Sequence, residues 1–165
     1  MRTAVVVGNP KPQSRTLAAG VLVAETVTGA PPDHVFDLVE LGAGLLGWGD
    51  PAVTAAVETV AGCDVVVVAS PTFKATYTGL LKLFLDQVPT AGLAGVVALP
   101  VMLGAGPGHQ LAPELLLKPV LVELGATCPA PGLYLQDSAY ADDPRLAPWA
   151  ERTRPLLTAL TAIRT

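Results

Sequence analysis

Residues 64–74 read DVVVVASPTFK. Four consecutive valines leave no polar alternation, so neither side of this segment is suited to water. A short β-branched run of this kind marks a strand buried on both faces of a parallel sheet. Ser70 and Pro71 end the run, and Thr72, Phe73 and Lys74 follow on a loop. A central parallel strand needs similar runs beside it, at intervals long enough to hold crossover helices.

Such runs are present. Arg2–Val7 is an apolar run near the start. His34–Leu41 alternates apolar and polar residues, as a strand with one more exposed face would. Gly95–Leu103 is a further run, interrupted by Pro100, and Gly132–Gln136 is a weaker fifth. Helical periodicity covers Ser14–Thr28, Pro51–Ala61, Thr76–Val88, His109–Leu124 and Asp143–Ile163. The alternation predicts an α/β fold, a doubly wound three-layer sandwich. Five strands favour the flavodoxin-like parallel order 2-1-3-4-5 over the longer six-strand arrangement. The 165 residues fit one domain spanning 1–165, with no repeat, linker or low-complexity tract.

Composition narrows the function classes. Only 15% of the residues are charged, sparse for the surface of a small soluble monomer. Part of the surface is therefore expected to be covered in an oligomer. A formal net charge of −4 gives no footprint for nucleic acid. No apolar stretch reaches the ~18 residues of a membrane span. The run Thr3–Val7 is too short for a signal-peptide core. The expectation is a cytoplasmic protein without a membrane partner. Cys63 and Cys128 fit no CxxC or zinc spacing, and read as free, half-buried thiols in a reducing compartment.

In an open α/β sheet, ligands bind beyond the carboxyl ends of the strands, at the switch point between strands 1 and 3. Three segments fall there. After strand 1 comes GNPKPQSRT (residues 8–16). Gly8 lets backbone approach a ligand, Ser14 can cap the following helix, and the helix dipole favours an anion. Arg15 and Thr16 add a guanidinium and a second hydroxyl. This loop fits neither GxxxxGK[ST] nor GxGxxG, which points to a single phosphate. After strand 3, SPTFKATYTG sets an aromatic on a Pro-containing turn, suited to a flat heteroaromatic ring. After strand 4, Gly104, Gly106 and Gly108 keep Cβ atoms away and expose amides. Taken singly, these segments also read as a capped helix, a plain loop with Phe73 in the core, and a flexible loop with His109 as a surface cap. The cations argue for a shared site. No lysine or arginine occurs from Leu17 to Phe73, yet Lys11, Arg15 and Lys74 fall at the ends of strands 1 and 3. An acidic chain with cations at one edge focuses an anionic ligand there.

GNPKPQSRT, SPTFKATYTGLLKLFLDQVP (70–89), the Gly104–Gly108 loop and HQLAPELLLKPVLVELGA (109–126) together resemble the NAD(P)H-dependent FMN reductases of the flavodoxin-like fold. Within these, the likeness is to the reductase components of bacterial two-component alkanesulfonate monooxygenases, over residues 3–132. The resemblance implies that Ser14, Arg15 and Thr16, with Asn9 and Pro10, hold the FMN phosphate. It implies that Pro71, Thr72, Phe73 and Lys74 line the ribityl chain and ring, and that Gly104, Ala105 and Gly106 border the isoalloxazine. The reduced nucleotide, NADPH or NADH, would stack on the exposed flavin face and pass hydride to flavin N5. Arg145 and Lys11 are candidates for a 2′-phosphate. A two-component monooxygenase is the implied partner for the reduced flavin. Some relatives carry an inserted aromatic in the fourth helix, associated with a π-bulge and with flavin that leaves as a product. Leu115 stands at that position here.

Cofactors that carry the chemistry leave little for side chains to do. The chain has no GxSxG, no HExxH and no convincing carboxylate pair. Its two histidines, His34 and His109, lack a partner at ligand spacing, so no metal and no catalytic side chain is assigned. Two other readings stand beside the reductase: an FMN-binding electron carrier of the flavodoxin type, and a quinone or azo reductase. The third and fourth helices are apolar nearly all round, which reads as a greasy core or as a subunit interface; the resemblance implies the interface, in a homodimer or homotetramer. Pro113 and Pro119 predict a distorted start or kink in the fourth.

Overall fold

In the computed structural model, which describes residues 1–162, the four valines lie in a central strand. Five parallel strands form one sheet: β1 (Thr3–Val7), β2 (His34–Asp37), β3 (Val65–Pro71), β4 (Val97–Gly104) and β5 (Leu133–Gln136), in the order β2-β1-β3-β4-β5. Every residue of β1, β3 and β4 is buried, as continuous apolar runs require. The register sets Val5 beside Val67, and Val67 beside Leu99.

Alternation along the strands feeds two cores. Val6, Val66 and Val68 face one layer, with Leu81, Phe84 and Leu121. This layer holds α2 (Pro51–Ala61), α3 (Gly79–Leu85) and α4 (Lys118–Glu123). Val5, Val7 and Val67 face α1 (Arg15–Thr28) and α5 (Leu146–Ala162), with Val23, Trp149 and Leu157. Ile163, the last residue of the fifth predicted helix, lies outside the described residues.

Pro100 survives inside β4 for a reason that the register makes plain. Val97 N–H bonds toward β3, to Asp64 O, and Ala98 N–H bonds to Thr127 O on the opposite side. Residue 100 therefore turns its nitrogen away from β3. Pairing with β5 starts only at Val101–Leu133, and the earlier bridge is Val97–Thr127. The missing donor falls in the gap between them, where no ladder bond is lost.

Three predicted elements change shape. The second strand stops at Asp37 rather than Leu41, because β1 has no residue to pair beyond Val7. Leu38–Leu46 coils into 3-10 turns around Gly42 at φ +53°. The third helix starts at Gly79 instead of Thr76, since Thr76 closes a hairpin turn with Phe73 and Thr78 becomes the cap. The fourth breaks into a 3-10 turn at Pro107–His109, a π turn at Pro113–Leu117 and then α4, the distortion expected from two prolines. Glu114 pins the π turn. Its carboxylate accepts from Lys118 Nζ at 2.8 Å and from Gly132 N–H at 2.6 Å. Burial pushes the Glu114 carboxyl up, but the Lys118 and Gly132 hydrogen bonds outweigh it and hold it below its ordinary value. Glu114 at Gly132 and Asp143 at Gln136 N–H (2.9 Å) also cover the outer edge of β5, which blunts it against strand addition.

Candidate functional site

The carboxyl ends of β1, β3, β4 and β5 lie along one edge of the sheet, so the connections leaving them are neighbours. Two are welded together. Thr78 Oγ1 donates to Gly8 O at 2.5 Å and accepts from Leu81 N–H at 3.1 Å, capping α3. Thr78 N–H donates to Ser70 Oγ at 3.1 Å. Both side chains are buried. Gly8 N–H donates to Ala69 O at 2.9 Å. A Cβ on Gly8 would lie 2.3 Å from Leu81 Cβ. Position 8 is thus glycine because α3 packs on it, and the expected room for a ligand there gives way to this contact.

The first loop is fixed from within. Asn9 Nδ2 donates to Thr16 Oγ1 at 2.9 Å, and Asn9 Oδ1 accepts from Lys11 N–H at 3.0 Å. Ser14 is the N-cap of α1, its Oγ accepting from Leu17 N–H at 3.2 Å. Ser14 and Thr16 are buried, while Pro10 and Arg15 are exposed. The amides of Arg15 and Thr16, in the first turn, have no carbonyl of their own helix to meet. They form the open, positive end of α1, where an anion is favoured. Arg15 is held beside it by an ion pair with Asp137 at 2.8 Å.

The loop after β3 ends in a tight turn. Phe73 and Thr76 exchange backbone hydrogen bonds at 2.9 and 3.2 Å, with Lys74 at φ +51° and Ala75 at φ +72°. Two successive left-handed residues with Cβ atoms are strained, and such strain gathers at ligand sites. Phe73 is 50% exposed, so its ring is at the rim and outside the core. Pro71 is the buried end of β3. Thr72 N–H donates to Leu103 O at 2.7 Å, joining this loop to β4.

The third loop is organised by Tyr134, a residue the sequence reading passed over. Its hydroxyl donates to Gly106 O at 2.7 Å. A Cβ on Gly104 would fall 1.8 Å from that oxygen, so Gly104 is glycine to admit the phenol. A side chain at Gly106 or Gly108 would meet open space, and Ala105 is exposed. Burial pushes the Tyr134 phenol pKa up, opposed by the nearby Thr72 hydroxyl and by Arg145. Thr72 Oγ1 is buried, close to that phenol, but makes no well-formed hydrogen bond among the described residues.

Beyond β5, Arg145 grips Asp143 through Nε (2.8 Å) and a terminal nitrogen (2.6 Å), and its guanidinium stacks 5.8 Å from the Tyr134 ring centre. The Arg145 bonds, reinforced by the Gln136 amide, hold the Asp143 carboxyl down at about 2, against the push of burial. Arg145, weighed for a 2′-phosphate, is thereby committed to its own neighbour. A cavity of about 350 Å³ opens between the two turns, lined by Ala75, Gly108, His109, Leu111, Leu115 and Leu116. The structure thus pairs Asn9 with Thr16 beside the Ser14 cap and gathers Thr72, Gly104 and Gly106 around Tyr134. Lys11, Arg15 and Lys74 are exposed at the same edge. Asp137 was missed although the rule that selected the other loops, the carboxyl end of a strand, applies equally to strand 5.

Among the described residues no helix is long and apolar enough to cross a membrane, and no group of three or more His, Cys, Asp or Glu could hold a metal ion. Cys63 and Cys128 are not joined in a disulfide; Cys63 is fully buried and its thiol donates to Thr59 O at 3.3 Å.

A family model described as NADPH-dependent FMN reductase matches residues 1–141. The chain is 37% identical over 98 residues to an FMN reductase (NADPH) of Pseudomonas putida, covering 59% of this chain and 46% of that one. It is 39% identical over 92 residues to an FMN reductase (NADPH) of Escherichia coli, covering 56% and 48%. The chain thus spans about half the length of these curated relatives. An NADH-dependent FMN reductase, SfnF, of Pseudomonas fluorescens is 28% identical over 158 residues, covering 87% and 84%. Among solved structures, the apo form of an NADH:FMN oxidoreductase (EMOB) superposes with a TM-score of 0.82 at 26% identity, covering 98% of this chain and 88% of that one.

Proposed function

From the premise that the chain belongs to the NADPH-dependent FMN reductase family, we propose that it takes hydride from NADPH or NADH and delivers it to FMN. The observation that carries this reading is the convergence of three loops on one edge, joined by Thr78–Gly8 and Thr72–Leu103. The residues present fit a flavin nucleotide. The open end of α1 with Arg15 suits one terminal phosphate. Gly106 and Gly108 leave open space on the loop after β4.

In this scheme the bound flavin supplies the hydride acceptor, at N5. The chain binds and orients. Arg15, the Ser14-capped turn and the Asn9–Thr16 pair hold the phosphate end. Pro71, Thr72, Phe73 and Lys74 hold the ribityl side, and Gly104, Ala105 and Gly106 border the ring. The exposed ring face is left for the nicotinamide. Holding two reactants in contact accounts for most of what such a site must do. No side chain is required to move a proton.

Delivery of reduced FMN to a partner monooxygenase, a cytoplasmic location and a homo-oligomer belong to the same proposal. Leu83, Leu111, Leu115, Leu116 and Val122 are exposed on and around α3, the π turn and α4, which supports an interface there. Steady-state oxidation of NADPH and NADH, with and without added FMN, tests the function. Turnover that saturates with added FMN marks flavin as a substrate, and turnover independent of it marks a resident group. No nucleotide oxidation, and no anaerobic bleaching of bound FMN by either nucleotide, would leave the electron-carrier reading in its place.

A further inference from the structure

Asp37 is the last residue of β2, in register with Val7, and is only 7% exposed. A buried carboxylate calls for partners on both oxygens. Here Oδ2 accepts one hydrogen bond, from Gln13 N–H at 2.9 Å, and Oδ1 is buried with no hydrogen-bond partner. Gln13 sits at φ +50°, a region that costs free energy for a residue with a Cβ. Two unfavourable features therefore meet at a single hydrogen bond, one residue before Ser14, the N-cap of α1. Neither improves the core, since an apolar residue at 37 would remove the uncompensated oxygen.

We propose that Asp37 is a positioning residue for the phosphate loop. Its Oδ2 holds Gln13 in the left-handed turn that sets the direction of the first-turn amides of α1 and of Arg15. Asp37 itself does not touch the ligand. A negative charge beneath an anion site opposes binding, so what serves the site is the acceptor and its geometry, and the charge is dispensable. The proposal rests on the FMN reading above. It goes further in assigning phosphate selectivity to a residue that ends a different strand.

The test compares FMN with riboflavin, which lacks the phosphate, by quenching of flavin fluorescence on the intact chain. Asp37→Ala is expected to weaken FMN about tenfold, the scale of one intramolecular hydrogen bond, and to leave riboflavin affinity within about twofold. Asp37→Asn keeps an acceptor for Gln13 N–H and drops the charge, so FMN affinity recovers to the wild-type value or better. Gln13→Pro breaks the same bond from the exposed side, removing the donor and forbidding positive φ. It reproduces the FMN-selective loss even if Asp37→Ala fails to fold. Equal losses for FMN and riboflavin in Asp37→Ala, an Asp37→Asn as weak as Asp37→Ala, or an unaffected Gln13→Pro would each overturn the assignment. The underlying reading fails separately and visibly. A wild-type chain with no preference for FMN over riboflavin would sink the phosphate loop, and Asp37 with it.

Discussion

Gly104→Ala places one carbon where there is no room for it. The added Cβ would lie 1.8 Å from Tyr134 Oη and 2.7 Å from Cζ. The backbone has little freedom to retreat, because Gly104 is in β4 and its carbonyl accepts from Asp137 N–H at 2.9 Å. The phenol must therefore move. It is 4% exposed and pairs with Met102 across β4–β5. Its displacement gives up the 2.7 Å hydrogen bond to Gly106 O. Overpacking of a core costs roughly 1–3 kcal/mol and a lost buried hydrogen bond about 1 kcal/mol, so the sum is roughly 2–4 kcal/mol. At ~2–4 °C per kcal/mol for a domain of this size, Tm falls by roughly 5–15 °C. FMN affinity falls with it, because the phenol is what holds Gly106. Adding Tyr134→Phe removes the shorter contact but leaves the one to Cζ, so it restores only part of the loss. Thermal denaturation and FMN titration of both variants check this. An unchanged Tm for Gly104→Ala, or complete restoration by Tyr134→Phe, would refute the explanation of why position 104 is glycine.

Three further outcomes are expected. Asp137→Asn releases Arg15 from an exposed ion pair worth at most ~1 kcal/mol, so Tm barely moves. Removal of the carboxylate tightens FMN binding, and weaker binding by titration would argue against Arg15 as a phosphate partner. Asp143, whose carboxyl is held down at about 2, contributes stability that is full above its unfolded pKa of ~3.9 and is lost as pH falls toward 2. Acid denaturation monitored by circular dichroism should lack that segment of the curve in Asp143→Asn, and an unaltered acid limb would contradict the Arg145 pairing. Burial pushes the Cys128 thiol up to about 11, so alkylation by iodoacetamide is slow at neutral pH and quickens only at strongly alkaline pH; fast labelling of the native chain at neutral pH would show the thiol to be less shielded.

The strand pattern made the fold legible because parallel strands buried on both faces have no freedom in composition. The valine run of β3 and the shorter run of β1 announce the same environment, and five such strands favour the order that the sheet adopts. The edges of elements were less legible, since each is set by a partner far away in sequence. β2 stops where β1 stops, and the third helix starts where a hairpin turn of two strained residues ends. The site shows the same division. Ser14, Arg15 and Thr16 were readable as a capped, cationic helix start, because that signal is local. Asp37, Tyr134 and Asp137 were not, because each acts only through a residue on another strand connection: Gln13, Gly106 and Arg15.

The glycines carry this argument one step further. Gly8 and Gly104 look alike in sequence, as small residues at the ends of strands beside a presumed ligand. Both are small for the sake of the protein: Leu81 fills the space over one and the Tyr134 phenol fills the space over the other. Gly106 and Gly108, two and four residues further on, face nothing within the chain. The ligand-facing positions of a Gly-rich loop are therefore the ones that internal packing fails to explain. By that criterion the proposed flavin site would open at 106–108, and the glycine at 104 would belong to its wall. A bulky residue at 106 or 108 should then cost little stability and much flavin affinity, whereas Gly104→Ala, at the wall, is expected to cost both.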